Sequence, residues 1–232
     1  MDLVQAARRN NIGRVRELLD RGTDPNIIDG IGSTALMDAS YRGNIEIVRL
    51  LLDRGADPNI RDHGGWTALM YVAEGGRLDI VELLLDRGAD INIIGNDGTA
   101  LIFASRVGYT EIVELLLDNG ADPNIRDRDG ETALMIAERR GHDDVARLIR
   151  DHIRLQRARQ RLAFATSFLG DDMHMDDLDY DVTARIAEYV NDLDQYGSGS
   201  KRSNRRSKRS SSKRSRRKRR KNKYYTRRRF FQ

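Results

Sequence analysis

The chain has 232 residues, with 41 Lys/Arg against 36 Asp/Glu, four His, no Cys and 39% apolar residues. That length fits one medium domain, or one domain with appendages. The lack of cysteine excludes disulfides and thiolate metal ligands, and no run of 18 apolar residues is present to span a membrane as a helix. The start, "MDLVQAARRNNIG", also lacks the apolar core of a secretory signal.

The net charge of +5 averages three different segments. Residues 197–232 hold 18 Lys/Arg and no acid, residues 171–196 hold nine acids and one arginine, and 1–196 as a whole carries −13. This composition divides the chain into a mildly acidic body, a strongly acidic connector and a polycationic end.

Along the body one phrase recurs. Thr34, Thr67, Thr99 and Thr132 each open a Thr-Ala-Leu triplet, spaced by 33, 32 and 33 residues. A period of this size means stacked helical units, because one short unit cannot bury its own apolar face. In each unit the threonine caps a short helix such as "TALMDASYRG", which ends at Gly43, Gly76, Gly108 or Gly141. A second helix follows ("NIEIVRLLLDRG", "RLDIVELLLDRG", "YTEIVELLLDNG"), with apolar residues at helical spacing and charges opposite. It closes at Gly55, Gly88 and Gly120. A turn rich in Asp and Gly then leads to the next threonine.

The capping threonine, mid-repeat glycine, apolar triple, Gly-Ala-Asp and Asp/Gly turn recur at fixed offsets, and in this the chain resembles the ankyrin repeat. The resemblance covers roughly 1–150. It implies an all-α solenoid of stacked helix pairs with short hairpin-like turns: three central repeats, an opening cap in "MDLVQAARRNNIGRVRELLDRG" and a closing cap from Gly130. Thr-Ala-Leu-Met replaces the family's common Thr-Pro-Leu-His, whose histidine bonds between repeats. Met37, Met70 and Met135 are then expected to fill that space by packing, which puts specific polar bonding between repeats in question. The 32-residue interval predicts a tighter or displaced turn near Asn96 and Asp97. Asp24, Asp57, Asp90 and Asp122 look like the family's scaffold aspartates.

Ankyrin arrays are binding scaffolds that use their turn tips and the exposed side of the first helices. The resemblance carries that role onto Ile31, Ser33, Asp38, Tyr41 and Arg42, then onto His63, Trp66, Tyr71 and Glu74. It continues onto Asn96, Phe103, Arg106 and Val107, and ends on Arg128, Glu131, Ile136, Arg139 and Arg140. Of these, Tyr41, Trp66, Tyr71 and Phe103, with Arg106, Glu131 and Arg139, are the candidate protein-binding residues. Aromatic anchors give large contact area at modest entropy cost. The other reading of the four aromatics is packing on neighbouring repeats.

No pattern argues for catalysis, a cofactor or a metal. "GSGS" has no preceding strand and no P-loop lysine. His63, His142, His152 and His174 make no ligand pattern, and the acids around His174 lack the glycine and terminal glutamate of a calcium loop.

Residues 151–196 read as a helical extension with the acidic connector. "RLQRARQRLAFATSF" continues a helix, with Leu155, Leu162, Ala165, Phe168 and Leu169 as a loose stripe. "LDYDVTARIAEYVNDL" then repeats apolar residues at three-to-four spacing, and one such short helix is marginal alone. Its core, "LDYDVTARIAEYV", is similar to F-box-like segments, which several large DNA viruses place behind ankyrin repeats to recruit a cullin ubiquitin-ligase adaptor. That resemblance would make Leu178, Val182, Ile186 and Val190 the contacts. Asp179 stands where proline is usual and Asp181 where glutamate is. Docking on the closing cap is the other reading.

Residues 197–232 cannot form a core, and read as a disordered tail. "KRSRRKRRK", with Lys213, Arg214, Arg216, Arg217, Lys218, Arg219, Arg220 and Lys221, resembles an import-receptor signal, and the same charges would bind nucleic acid through phosphates. Tyr224, Tyr225, Phe230 and Phe231 offer stacking on unpaired bases. The expectation from sequence is therefore a non-enzymatic protein-interaction scaffold located in the nucleus, with the cytoplasm and the ligase adaptor as alternatives.

Overall fold

The computed structural model of the protein describes residues 2–168, with side chains as far as Gln160. The described residues form ten helices: α1 (Leu3–Arg8), α2 (Ile12–Asp20), α3 (Ala35–Arg42), α4 (Ile45–Asp53), α5 (Ala68–Gly75), α6 (Leu78–Asp86), α7 (Ala100–Val107), α8 (Thr110–Asp118), α9 (Ala133–Arg140) and α10 (Asp143–Phe168). Odd-numbered helices pack in series as an inner layer and even-numbered ones as an outer layer, each pair sharing one repeat. The architecture is the all-α solenoid that the 33-residue period predicts. The only bridges among the described residues, Ile28–Thr34, Gly95–Gly98 and Arg126–Thr132, close the bases of hairpin-like fingers.

Each inner helix starts at its threonine for a local reason. The Thr34, Thr67, Thr99 and Thr132 side chains accept from the backbone N–H three residues on, satisfying a donor that the helix leaves open. The following leucines Leu36, Leu69 and Leu101 are buried in one continuous core with Ile47, Leu51, Ile80, Leu84, Ile112 and Leu116. Each such side chain contributes about 1.5–3 kcal/mol when fully buried.

The glycine that ends an inner helix carries two constraints at once. Gly76 has φ +74°, and a Cβ there would lie 2.6 Å from Cζ of Tyr109 in the next repeat. Left-handed backbone and the close approach of that ring both demand glycine.

The outer turns hold the repeats together through polar bonds. Asn26 Oδ1 accepts from Asp57 N at 2.8 Å, Asn59 Oδ1 from Asp90 N at 2.7 Å and Asn92 Oδ1 from Asp122 N at 2.9 Å. Their amide nitrogens donate to the carbonyls of Gly55, Gly88 and Gly120. Asp24, Asp57, Asp90 and Asp122 each accept from the N–H two residues later, fixing these turns. Specific inter-repeat bonding therefore exists in this chain, supplied by asparagine.

Met37 and Met70 are buried between repeats as expected, and Met37 Sδ also accepts from Thr34 N at 3.4 Å. Met135 departs from that expectation and is 44% exposed. It lies in the last of the described inner helices, α9, against which no further inner helix packs. The closing outer helix, α10, runs unbroken from Asp143 to Phe168, so the boundary drawn at residue 150 falls inside it.

Candidate functional site

The fingers place the face of the array. Asp62 Oδ1 accepts from Gly64 N and Trp66 N, both at 2.8 Å, folding the second finger back toward α5. Asp29 and Asp127 do the same for the first and fourth fingers. The other oxygen of Asp62 takes the Tyr71 hydroxyl. Burial, followed by this carboxylate, pushes the Tyr71 phenol well above its ordinary range. Tyr71 is therefore a fixed neutral donor.

Four rings then follow one another across three repeats. Tyr41 meets Tyr71 edge-on at 5.9 Å, Tyr71 meets Trp66 at 5.0 Å, and Trp66 meets Phe103 at 4.1 Å between centroids. The Arg106 guanidinium lies 5.0 Å from the Phe103 centroid. Tyr41 is 54% exposed, while Trp66 and Tyr71 are half-buried against the core. Phe103 corrects the sequence reading: it is fully buried, covered by Trp66 from the previous repeat and by Arg106 from its own helix. Ser33 and Ile136, also expected on the face, are buried too.

The third finger changes the surface. Gly95 stands where the other units have the turn aspartate, and the finger closes on Asn96 and Asp97 through Gly95 N donating to Gly98 O at 3.0 Å. This is the tighter turn that the 32-residue interval predicts. Fingers one to three are joined by backbone bonds, His63 N to Ile31 O and Asn96 N to Gly64 O, each 3.2 Å. Between fingers three and four the described contacts are instead a side-chain pair, Arg128 to Asp97 at 3.1 Å. There a groove of about 320 Å³ opens, lined by Asp97, Arg106, Asp127, Arg128, Asp129, Glu131, Arg139 and Arg140.

The groove brings together three predicted site residues, Arg106, Glu131 and Arg139. Arg139 forms a two-point pair with Glu131, at 3.0 and 2.6 Å. Arg106 donates to the Asp97 carbonyl at 3.3 Å. The aromatic row and the charged groove meet at Arg106 over Phe103.

The sequence reading did not anticipate Arg8. From α1 it bonds Asp38 through Nε and Nη2, at 3.1 and 2.8 Å, and Asp29 at 2.8 Å. Asp38 first and Asp29 second push the Arg8 guanidinium above its usual range. Burial works against the Asp29 charge, yet Arg8 and the N–H groups of Ile31 and Ser33 outweigh it and hold that carboxyl below the usual range. The pairing closes the first end of the face and uses up Asp38. Its partners are 21 and 30 residues away, so no local pattern signals it.

Among the described residues no cluster of His, Asp or Glu gathers to hold a metal, and no helix is long and apolar enough to cross a membrane. Leu178, Val182, Ile186, Val190 and the basic run Lys213–Lys221 lie outside the described residues.

A family model for ankyrin repeats (3 copies) matches residues 3–95 and 93–158. No curated protein matches the chain.

Proposed function

The chain belongs to the ankyrin repeat family, and from that premise we propose that it is a non-enzymatic scaffold that takes a protein partner on the face running from Tyr41 to Arg139. Ankyrin repeats point to protein partners as a class. The observation that supports this face is the row Tyr41–Tyr71–Trp66 leading into Arg106: exposed aromatic area beside fixed polar groups is the composition of interface anchors.

The tail at 197–232, with 18 Lys/Arg and no acid, adds nuclear targeting or nonspecific nucleic-acid binding in this reading. The ligase-adaptor reading rests on the spacing of Leu178, Val182, Ile186 and Val190, and needs 178–193 as a second docking segment.

Affinity capture with the full chain, with 1–196 and with 1–168, read by mass spectrometry, separates these roles. A partner held by all three and lost on Tyr41→Ala supports the face. A cullin-ligase adaptor lost on cutting to 1–168 supports the second segment. Capture that needs 197–232 and disappears with nuclease would overturn the assignment of binding to the repeats.

A further inference from the structure

Four arginines among the described residues are half-buried: Arg8, Arg14, Arg106 and Arg150. Three of them hold carboxylates, namely Asp29 with Asp38, Glu17, and Glu138. Arg106 holds none among the described residues and rests on a carbonyl and the Phe103 ring. The glutamates repeat the pattern with opposite sign. Of the half-buried Glu17, Glu74 and Glu131, the first and last are paired with arginine, and Glu74 has no such partner among the described residues. Half-removed from water, a charge is normally paired. Asp62 and Asp127 are also half-buried without an arginine, but each accepts from backbone N–H groups, and Asp62 from the Tyr71 hydroxyl as well. Among the half-buried arginines and glutamates, Arg106 and Glu74 alone lack a partner of opposite charge among the described residues.

Their positions are related. Glu74 is seven residues after Thr67 and Arg106 seven after Thr99, so they occupy the same offset in consecutive inner helices, α5 and α7. They form no ion pair with each other. Glu74 lies close enough to Tyr71 for its charge to act on the phenol, whereas Arg106 is drawn to the third finger by the Asp97 carbonyl. Packed helices stand about 8–10 Å apart. Two turns of a partner α-helix, about 10.8 Å, nearly match that interval.

Resting on the open-face reading above, we propose that the partner presents a helix bearing one basic and one acidic side chain seven residues apart. The basic group sits on Glu74 beside Tyr41 and Tyr71, and the acidic group sits on Arg106. Attraction at both ends fixes the register of the helix and rejects segments of uniform charge.

The test uses full-length protein and a displayed library of helical peptides. Each peptide carries Arg/Glu, Glu/Glu or Arg/Arg at spacings of 3, 4, 7 or 11. The native chain is expected to enrich Arg/Glu at spacing seven by about tenfold over the other spacings. Glu74→Arg is expected to move the preference to Glu/Glu, and Arg106→Glu to Arg/Arg, both at spacing seven. The neutral variants Glu74→Gln and Arg106→Gln should each erase the preference for one charge. Acidic peptides held by the basic tail bind without regard to spacing, so spacing separates the two modes. Peptides that depend on Tyr41 but show no charge or spacing preference would overturn this inference and leave the open-face reading standing. If no peptide depends on Tyr41, both are overturned.

Discussion

Trp66 covers the ring of Phe103 one repeat further on, with 4.1 Å between centroids. The contact joins a finger of one repeat to the inner helix of the next, so Trp66 belongs to the fold as well as to the face. Tyr41, at the other end of the aromatic row, is more than half exposed and meets its neighbour only edge-on at 5.9 Å.

The two residues should therefore separate stability from binding. Trp66→Ala uncovers Phe103 and is expected to destabilise by about 2 kcal/mol or more, below the 3–5 typical of a fully buried Trp. Tyr41→Ala should stay within about 0.5 kcal/mol of the native chain, as surface changes do, while weakening the partner. Urea melts and partner binding on the same variants check both statements. A Trp66→Ala chain as stable as the native one would return Trp66 to the binding surface alone.

The asparagine ladder makes a second prediction. Asn59→Ala removes a bond from Asp90 N and another to Gly88 O, worth about 1–2 kcal/mol together at ordinary values for such bonds. Asn124 occupies the same offset in the last unit, but its amide nitrogen reaches only Asp122 in its own turn. Asn124→Ala should be nearly neutral. Hydrogen exchange at the Asp90 amide is the direct readout, and equal effects from the two substitutions would remove the inter-repeat role.

Gly76 and Gly141 share a left-handed backbone but not their surroundings. A Cβ at Gly76 meets Tyr109, whereas at Gly141 nothing lies within 4 Å. Gly141→Ala should lose only the left-handed penalty, about 1–2 kcal/mol. Gly76→Ala should lose about 1–3 kcal/mol more through overpacking, and Tyr109→Ala in the same chain should recover part of it. A double variant no better than Gly76→Ala would show that backbone strain alone is responsible.

The helices, their caps and the short third finger were legible because each depends on local spacing: Thr34, Thr67, Thr99 and Thr132 mark every inner helix. Burial on the face was less legible. Phe103 has the same offset from its threonine as the half-buried Tyr71, and differs because Trp66 and Arg106 close over it, one of them from another repeat. Met135 differs from Met37 and Met70 only in what packs on it. The ladder has its own sequence signal, since asparagine returns at 26, 59, 92 and 124 beside each Gly-Ala-Asp or its variant.

His152 gives the fold a pH dependence. Burial lowers its pKa, Asp118 opposes that shift and Arg159 adds to it, and Nε2 is buried without a partner. Lowered in the folded state, the imidazole takes its proton more readily in the unfolded chain. Its contribution is therefore complete above the unfolded value near 6.5 and is lost as pH falls from there through the folded value. Urea midpoints at pH 8, 6.5 and 5 should fall more steeply in the native chain than in His152→Leu. Parallel curves would assign the dependence to other groups.

The tail makes the last prediction, from charge alone. Residues 197–232 place 18 positive charges in 36 residues with no acid among them, while the connector at 171–196 carries −8. If about six phosphates of duplex DNA are neutralised, each releases roughly 0.9 of a counterion, and the log–log slope of affinity against salt is near −5. Between 50 and 200 mM salt that is about a thousandfold loss. If the connector competes for the same arginines, deleting 171–194 tightens binding at low salt and matters less at high salt, where the Debye length shortens. Fluorescence anisotropy on scrambled duplexes reads both effects, with little preference among sequences. Binding that barely responds to salt, or that survives removal of 197–232, would place the nucleic-acid site on the repeats. Import is a separate reading of the same residues, tested by fusing 197–232 to a cytoplasmic reporter. A reporter that stays in the cytoplasm would end the nuclear assignment while leaving the salt dependence intact.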